Sequence, residues 1–392
     1  MKRTSLAGSS VAPHLRVLRR CGFCRQASTA SARLRYTHTY QLFVLTVTTV
    51  YLIQEIIYAY QARNNMEMLA RVMFLLLCHI TSLAKQIVFY VDADRIDHLI
   101  IQFDDPMYNP EEASRRRLLA ATATSARRLQ RVYSNTAILT CILWIVFPIM
   151  QRLTGRTVYF AFWTTFDYNS STIVFVATLL YSFYVTTLVG VANTTMDAFM
   201  GTILYQCKTQ LRILRMDLEI LPERAYDLKK HTNEPYEKAL MRLFVNSIEH
   251  YEKISETAQL LQDIFGGAIL VQFGVGGWIL CMTAYKIVDL SLLSIEFASM
   301  ILFTICILTE LFLYCFYGNE VTVESDRLMS SLYAMQWLCT PVAFRRALVL
   351  AMERAKRPLR PVAGLIIPLS LETFVTILKS SYTFYAVLRQ TK

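Results

Sequence analysis

Few side chains in this 392-residue sequence could do chemistry, and those few stand apart from the partners their chemistry needs. His79 lies in a mostly apolar stretch, where a lone histidine is more often a packed core residue than a ligand. Zinc-dependent hydrolysis inside a membrane wants histidines repeated at ligand spacing, and neither H-x-x-x-H nor G-x-S-x-G occurs. Glu296, Glu310 and Glu372 have no motif around them that would suit paired acid–base work. Cys21-Gly22-Phe23-Cys24 is a C-x-x-C, but only His14 and His38 are near enough in sequence to complete four zinc ligands. The nine cysteines are scattered, several singly in apolar runs (Cys78, Cys141, Cys281), and imply no disulfide framework. Gly274-Val275-Gly276-Gly277 sits inside an apolar run rather than after a strand, so it suits close helix packing, not phosphate binding. No catalytic residue, metal or cofactor is expected.

The elements that carry these residues are legible from composition. The chain is 54% hydrophobic and 18% charged, with 22 Phe, 22 Tyr and a mean hydropathy of +0.36, which excludes disorder, collagen-like repeats and coiled coil. A net charge of +11 would suit a nucleic-acid partner only if the basic residues shared a folded surface. Here they sit between long uncharged runs, so no nucleic acid is expected. A spanning helix needs about 20 mostly apolar residues. Arg131 and Arg152 enclose twenty uncharged residues, Asp167 and Asp197 twenty-nine, and Asp263 and Lys286 twenty-two. Four further stretches read as spans: Tyr40 to Tyr60, Arg71 to Val91, Phe297 to Tyr317 and Ile366 to Leu388, the last the most polar. The fold class is an all-α membrane protein of seven transmembrane helices.

Basic loops stay cytoplasmic. Thirty-one of the 40 Lys and Arg residues fall on one side if the N-terminus is inside, which puts the C-terminus outside. The sequon Asn169-Ser170-Ser171 then lies in an outer loop, where Asn169 is open to glycosylation. A G-protein-coupled receptor has the opposite orientation. Its marks are also missing: no Asp-Arg-Tyr follows the third span, and no Asn-Pro-x-x-Tyr closes the seventh.

The acid-free first 39 residues read as a basic cytoplasmic tail rather than a transit peptide. Residues 40–318 hold helices 1–6 and the ligand-binding bundle. Within them, 201–262 read as a cytoplasmic helical extension: Ile203, Leu211, Leu214 and Leu218, then Leu240, Phe244, Tyr251 and Ile254, recur at helical spacing, with a break near Leu221-Pro222. Residues 319–366 repeat the pattern as the cytoplasmic part of helix 7, and 367–392 form its outer part. Such amphipathic helices need partners, most simply each other and neighbouring subunits.

The C-terminal stretch carries a resemblance. Arg357-Pro358-Leu359-Arg360-Pro361-Val362-Ala363-Gly364 leads into Leu369-Ser370-Leu371-Glu372-Thr373-Phe374, then Ile377-Leu378-Lys379-Ser380-Ser381-Tyr382-Thr383-Phe384-Tyr385-Ala386-Val387-Leu388. This closely resembles the C-terminal signature of insect odorant receptors. Upstream, Tyr314-Cys315-x-x-Gly318, Ser325, and Tyr333 with Trp337 resemble the segment around the family's sixth and early seventh helices. The resemblance implies a ligand-gated non-selective cation channel of four subunits in the plasma membrane, in olfactory neuron dendrites. Odour-specific subunits of that family assemble with a shared co-receptor. This chain resembles such a subunit, because it is shorter than co-receptors and lacks their long insertion between the fourth and fifth spans. Gustatory-receptor-like channels are the nearest alternative, and a seven-span metabotropic receptor a more distant one.

The resemblance also implies sites. Alignment of Thr383 to Leu388 on the co-receptor end places Val387 and Thr391 at the two gate positions, the second departing from the usual apolar residue. Thr383 and Ser380 extend their stripe, and an apolar side chain facing a narrow pore can gate by dewetting. Lys379 should face water or a carboxylate, Glu372 being nearest in sequence. The family's odorant lies between the second, third, fourth and sixth helices. The candidates there are Leu76, His79 and Ile80; Cys141, Trp144 and Pro148; Phe175 and Leu179; and Ser299, Leu302 and Phe303. Their character suits a small neutral volatile, among membrane lipid.

Overall fold

A bilayer offers no water to backbone amides, so the apolar runs must pair every N–H and C=O internally, as helices. The computed structural model describes residues 5–24, 31–155, 158–232, 234–288 and 290–390. Among these residues the helices are α1 (Leu6–Arg20), α2 (Ser31–Gln61), α3 (Met66–Val91), α4 (Ala93–Gln102), α5 (Ala113–Leu153), α6 (Thr172–Glu219), α7 (Leu221–Thr232), α8 (Tyr236–Val288), α9 (Ile295–Ala334), α10 (Val342–Ala355) and α11 (Leu371–Gln390). Two-residue strands β1 (Val362–Ala363) and β2 (Ile367–Pro368) pair antiparallel between α10 and α11.

Helices α2, α3, α5, α6, α8 and α9 are each long and apolar enough to cross a membrane. The 20 residues of α11 match a bilayer's thickness, but Glu372, Lys379 and Arg389 make it the most polar, as its sequence predicts. Four helices are far longer than a span. The 53 residues of α8 extend about 80 Å, against a hydrocarbon core of about 30 Å. The excess gathers with the short helices at the basic end of the bundle, where α1 packs on α5 and α6, α7 on α8, and α10 on α8 and α9.

The central post is α6, buried on every side from Ala192 to Leu204. Packing between helices in lipid gains little from the hydrophobic effect and relies on small side chains and satisfied polar groups. The stretch accordingly reads Ala192, Ala198 and Gly201 among threonines whose hydroxyls donate to their own helix: Thr195 to Val191 O at 2.6 Å, and Thr202 to Ala198 O at 2.7 Å.

The structure refines the sequence reading in three places. The basic tail contains α1, capped by Ser5, with Val11, Leu15 and Leu18 buried at helical spacing and Arg16 and Arg20 on the open face. The expected break near Leu221-Pro222 falls at Ile220, and Pro222 sits in the first turn of α7, where its missing N–H is harmless. The boundary drawn at 319 is corrected: 319–334 continue α9, because neither proline nor glycine falls between Gly318 and Pro341, and the chain turns only between Met335 and Pro341.

A close approach fixes the last helix. A Cβ on Gly318 would stand 2.6 Å from Leu369 O, so the link into α11 lies directly on the α9 backbone. Gly364, at φ +55°, turns the hairpin against Leu270 of α8.

Two buried histidines stabilise the basic end only while neutral. Burial lowers His14, beside Thr202, and His250, 3.1 Å from Gln210 Oε1, to a pKa of about 4 each. The unfolded chain binds protons at both sites below about pH 6.5, so stability falls as pH drops from 6.5 towards 4. The effect reaches on the order of 3 kcal/mol per histidine. Thermal melts of detergent-solubilised protein should show Tm falling over this range, and less steeply for His250→Gln. Parallel pH profiles for variant and parent would refute this assignment.

Candidate functional site

Three aromatic rings from three helices organise the interior. Phe74 of α3, Trp144 of α5 and Phe303 of α9 meet with centroids 5.3 to 6.2 Å apart, at angles that put ring edges towards ring faces. Two adjoining cavities flank them and share Leu75, Cys141, Trp144 and Thr186 as walls.

The outer cavity holds about 150 Å³ and is walled by Phe74, Trp144, Pro148, Leu179, Phe183 and Ser299, with Tyr51 of α2. Tyr159, Phe160 and Ala161, in the loop between α5 and α6, close it. That loop docks through Trp163 N–H on Gln54 O at 3.1 Å and through Phe162, whose ring lies 5.1 Å from Tyr51. At the rim Lys286 and Glu296 form an ion pair at 2.9 Å. The inner cavity, about 50 Å³, is walled by His79, Tyr133, Thr140, Asn193, Phe303 and Glu310 among others.

The sequence candidates divide accordingly. Cys141 and Trp144 wall both cavities; Pro148, Leu179 and Ser299 wall the outer one; His79 and Phe303 wall the inner one. Leu76 and Ile80 do not reach them. They pack towards α2 with Leu52 and Val72, since on α3 the wall is the stripe Leu75, Cys78 and His79, and a shift of one residue rotates a side chain by about 100°. Leu302 is displaced in the same way from the stripe of Ser299, Phe303 and Glu310. Phe175 lies a turn beyond the outer cavity, against Phe160 and under the guanidinium of Arg152. Sequence reasoning missed Tyr51 and the closing loop. The run Tyr159-Phe160-Ala161-Phe162-Trp163 carried a signal, because so aromatic a loop needs a surface to bury against.

Beneath the inner cavity lies a charged cluster. Lys85 of α3 donates to Asp197 of α6 at 2.5 Å, to Asn193 at 3.1 Å and to Glu310 of α9. Tyr314 donates to Asp197, and all five residues are buried. A second pair joins α2 to α3: His79 Nδ1 lies 2.7 Å from Glu55 Oε2.

Among the described residues, α11 buries one side chain, Ser381. Glu372, Thr376, Lys379, Thr383 and Val387 follow one another at spacings of three or four along its exposed side. Lys379 makes no ion pair with Glu372. Phe384, off that stripe, stacks on Trp278 of α8 at 5.1 Å and 18°. Thr391 lies outside the described residues. Asn169 is exposed in its loop, its Nδ2 donating to Val158 O at 3.3 Å.

The family model described as 7tm Odorant receptor matches residues 65–382. Among Drosophila melanogaster proteins, odorant receptor 33a is 23% identical over 66% of this chain, and odorant receptor 94a is 27% identical over 52%. The chain spans 67% of the length of the first and about half, 50%, of the second. The solved structure of the insect olfactory receptor OR5 from Machilis hrabei in complex with eugenol superposes with a TM-score of 0.82 at 15% identity, covering 97% of this chain and 98% of that one. A second solved structure of the same receptor superposes with a TM-score of 0.81, also at 15% identity. These structures share the fold.

The cluster makes a testable demand. Lys85→Met leaves Asp197 and Glu310 buried against each other, a loss of about 3–5 kcal/mol for a broken buried ion pair. Surface expression should fall sharply, and Lys85→Met with Glu310→Gln, which removes one of the opposed charges, should recover part of it. A single variant that reached the surface like wild type would show that the cluster does not hold these helices.

Proposed function

The chain belongs to the 7tm odorant receptor family, whose members are receptors and not enzymes, and from that premise we propose that it is the odorant-binding subunit of a ligand-gated cation channel. The observation that carries the reading is the aromatic chamber between α3, α5, α6 and α9, bordered by the loop before α6. Its outer part, about 150 Å³, suits a single ring or a short chain. Lys286 and Glu296 neutralise each other at the rim, so the chamber offers no unpaired charge there and favours a small neutral volatile. OR5 was solved in complex with eugenol, and a small organic ligand of that kind is carried over to this chain as part of the proposal.

The exposed stripe on α11 is the proposed pore face. In one subunit it has no partner among the described residues; around a central axis with three more subunits, co-receptor copies among them, it lines an aqueous path, which also accounts for Lys379. Val387 is 55% exposed on that stripe and forms the gate, with Thr383 below it. The basic end of the bundle faces the cytoplasm, with Asn169 on the outside of the plasma membrane.

Odorant-evoked current should appear in excised, nucleotide-free patches from cells expressing this chain with a co-receptor, and not with either alone. Current that required GTP would favour a metabotropic receptor, and responses to sugars or bitter compounds without a co-receptor would favour a gustatory-type channel.

The gate assignment separates two neighbours on one helix. Val387→Ser removes the dewetting barrier and should raise resting current or alter permeability ratios at normal surface expression. Phe384→Ala breaks the stack on Trp278 and should lower assembly while leaving selectivity alone. The opposite pattern would mean that α11 is rotated from this assignment.

A further inference from the structure

We infer that His79 is a specificity-determining donor: held by Glu55, it presents one N–H to the inner cavity and selects volatiles bearing a hydrogen-bond acceptor, a carbonyl above all, over hydrocarbons of the same shape. The inference rests on the odorant-receptor reading above and names the class of ligand.

The geometry begins with the ring's two edges. Nδ1 faces Glu55 Oε2 at 2.7 Å, a separation that places a proton between them. Tyr51 meets the imidazole edge-on at 5.4 Å and 90°, fixing its plane. The other edge, with Nε2, is left for the inner cavity that His79 walls, and Nε2 has no partner among the described residues. The side chain is 8% exposed and Glu55 is fully buried, its Oε1 unpartnered among the described residues.

Which way Nε2 is protonated follows from charge. A pair with net charge is heavily disfavoured at this depth. Two neutral forms put a proton between Nδ1 and Oε2 without placing one on the buried, unpartnered Oε1: imidazolium beside carboxylate, and neutral imidazole accepting from a carboxylic acid. They differ in where the proton between Nδ1 and Oε2 sits. Both carry a hydrogen on Nε2, so the cavity meets a donor in either form.

The remaining donors of that cavity are largely committed. Thr140, Thr186 and Thr194 donate to the carbonyls of Thr136, Ser182 and Gly190 at 2.8 to 2.9 Å. Tyr133 donates to Cys306 O at 3.0 Å, and Asn193 to Asp197 at 3.3 Å. A carbonyl oxygen entering past Trp144 therefore finds His79, while a hydrocarbon of equal shape leaves that donor unanswered.

The test uses shape-matched pairs in which C=O is replaced by C=CH2: acetophenone with 2-phenylpropene, and 2-heptanone with 2-methyl-1-heptene. Dose–response curves are recorded from cells carrying the full chain and a co-receptor. Each ketone should be about tenfold more potent than its alkene. His79→Phe, which keeps a ring in place, should bring each pair within about twofold by weakening the ketone alone. Equal potency of ketone and alkene on the wild type would overturn the inference without any variant. So would a ketone preference that survives His79→Phe at matched surface expression, or a receptor that answers other volatiles but neither ketone. Silence to every volatile at normal surface density would instead bring down the odorant-receptor channel reading itself.

Discussion

The ammonium of Lys85 is the tie on which the interior depends. It draws Asp197 and Glu310 onto one point from α6 and α9, and Tyr314 completes the shell. Each member alone would be expelled from a lipid-embedded bundle; together they fix the mutual register of α3, α6 and α9. Those helices then have no freedom to close over the space above, and the chamber is the volume left between them. The aromatic triad and the loop Tyr159–Ala161 line and roof a gap that the charged cluster holds open.

The polar groups of the chamber follow one economy. Hydroxyls on α5 and α6 turn back to carbonyls of their own helices, and the rim charges of Lys286 and Glu296 meet each other. What remains is a largely aromatic surface, with His79 Nε2 a donor that has no partner among the described residues. Such a site sorts small molecules by shape first and by one directional contact second.

Much of this was legible in the sequence, for identifiable reasons. Charges cannot sit among lipid tails, so their absence from 132–151 or 264–285 announced helices, and Pro222 and Pro341 lie just past the turns that end α6 and α9. The rotation of α3 was not legible. Leu75, Leu76 and Leu77 are equally apolar, so periodicity has no phase there, and the choice of Leu76 and Ile80 fell one residue from the wall. The ion pairs escaped for another reason: Lys85 and Glu310 are 225 positions apart, and each looked like an isolated charge until the fold joined them. In α1 the basic residues Arg16 and Arg20 masked a buried face made by Val11, Leu15 and Leu18.

The length of α8 has a mechanical meaning. It is one unbroken rod of 53 residues that touches the chamber rim through Lys286, carries α11 along its side, and ends among α7 and α10. In a rod about 80 Å long, a tilt of about 3° displaces the far end by about 4 Å. A tilt at the rim too small to rearrange any single contact would thus be magnified at the opposite extremity, and α11, stacked on the same shaft through Trp278, would tilt with it. Geometrically, α8 is a lever arm whose rim end moves least for such a tilt.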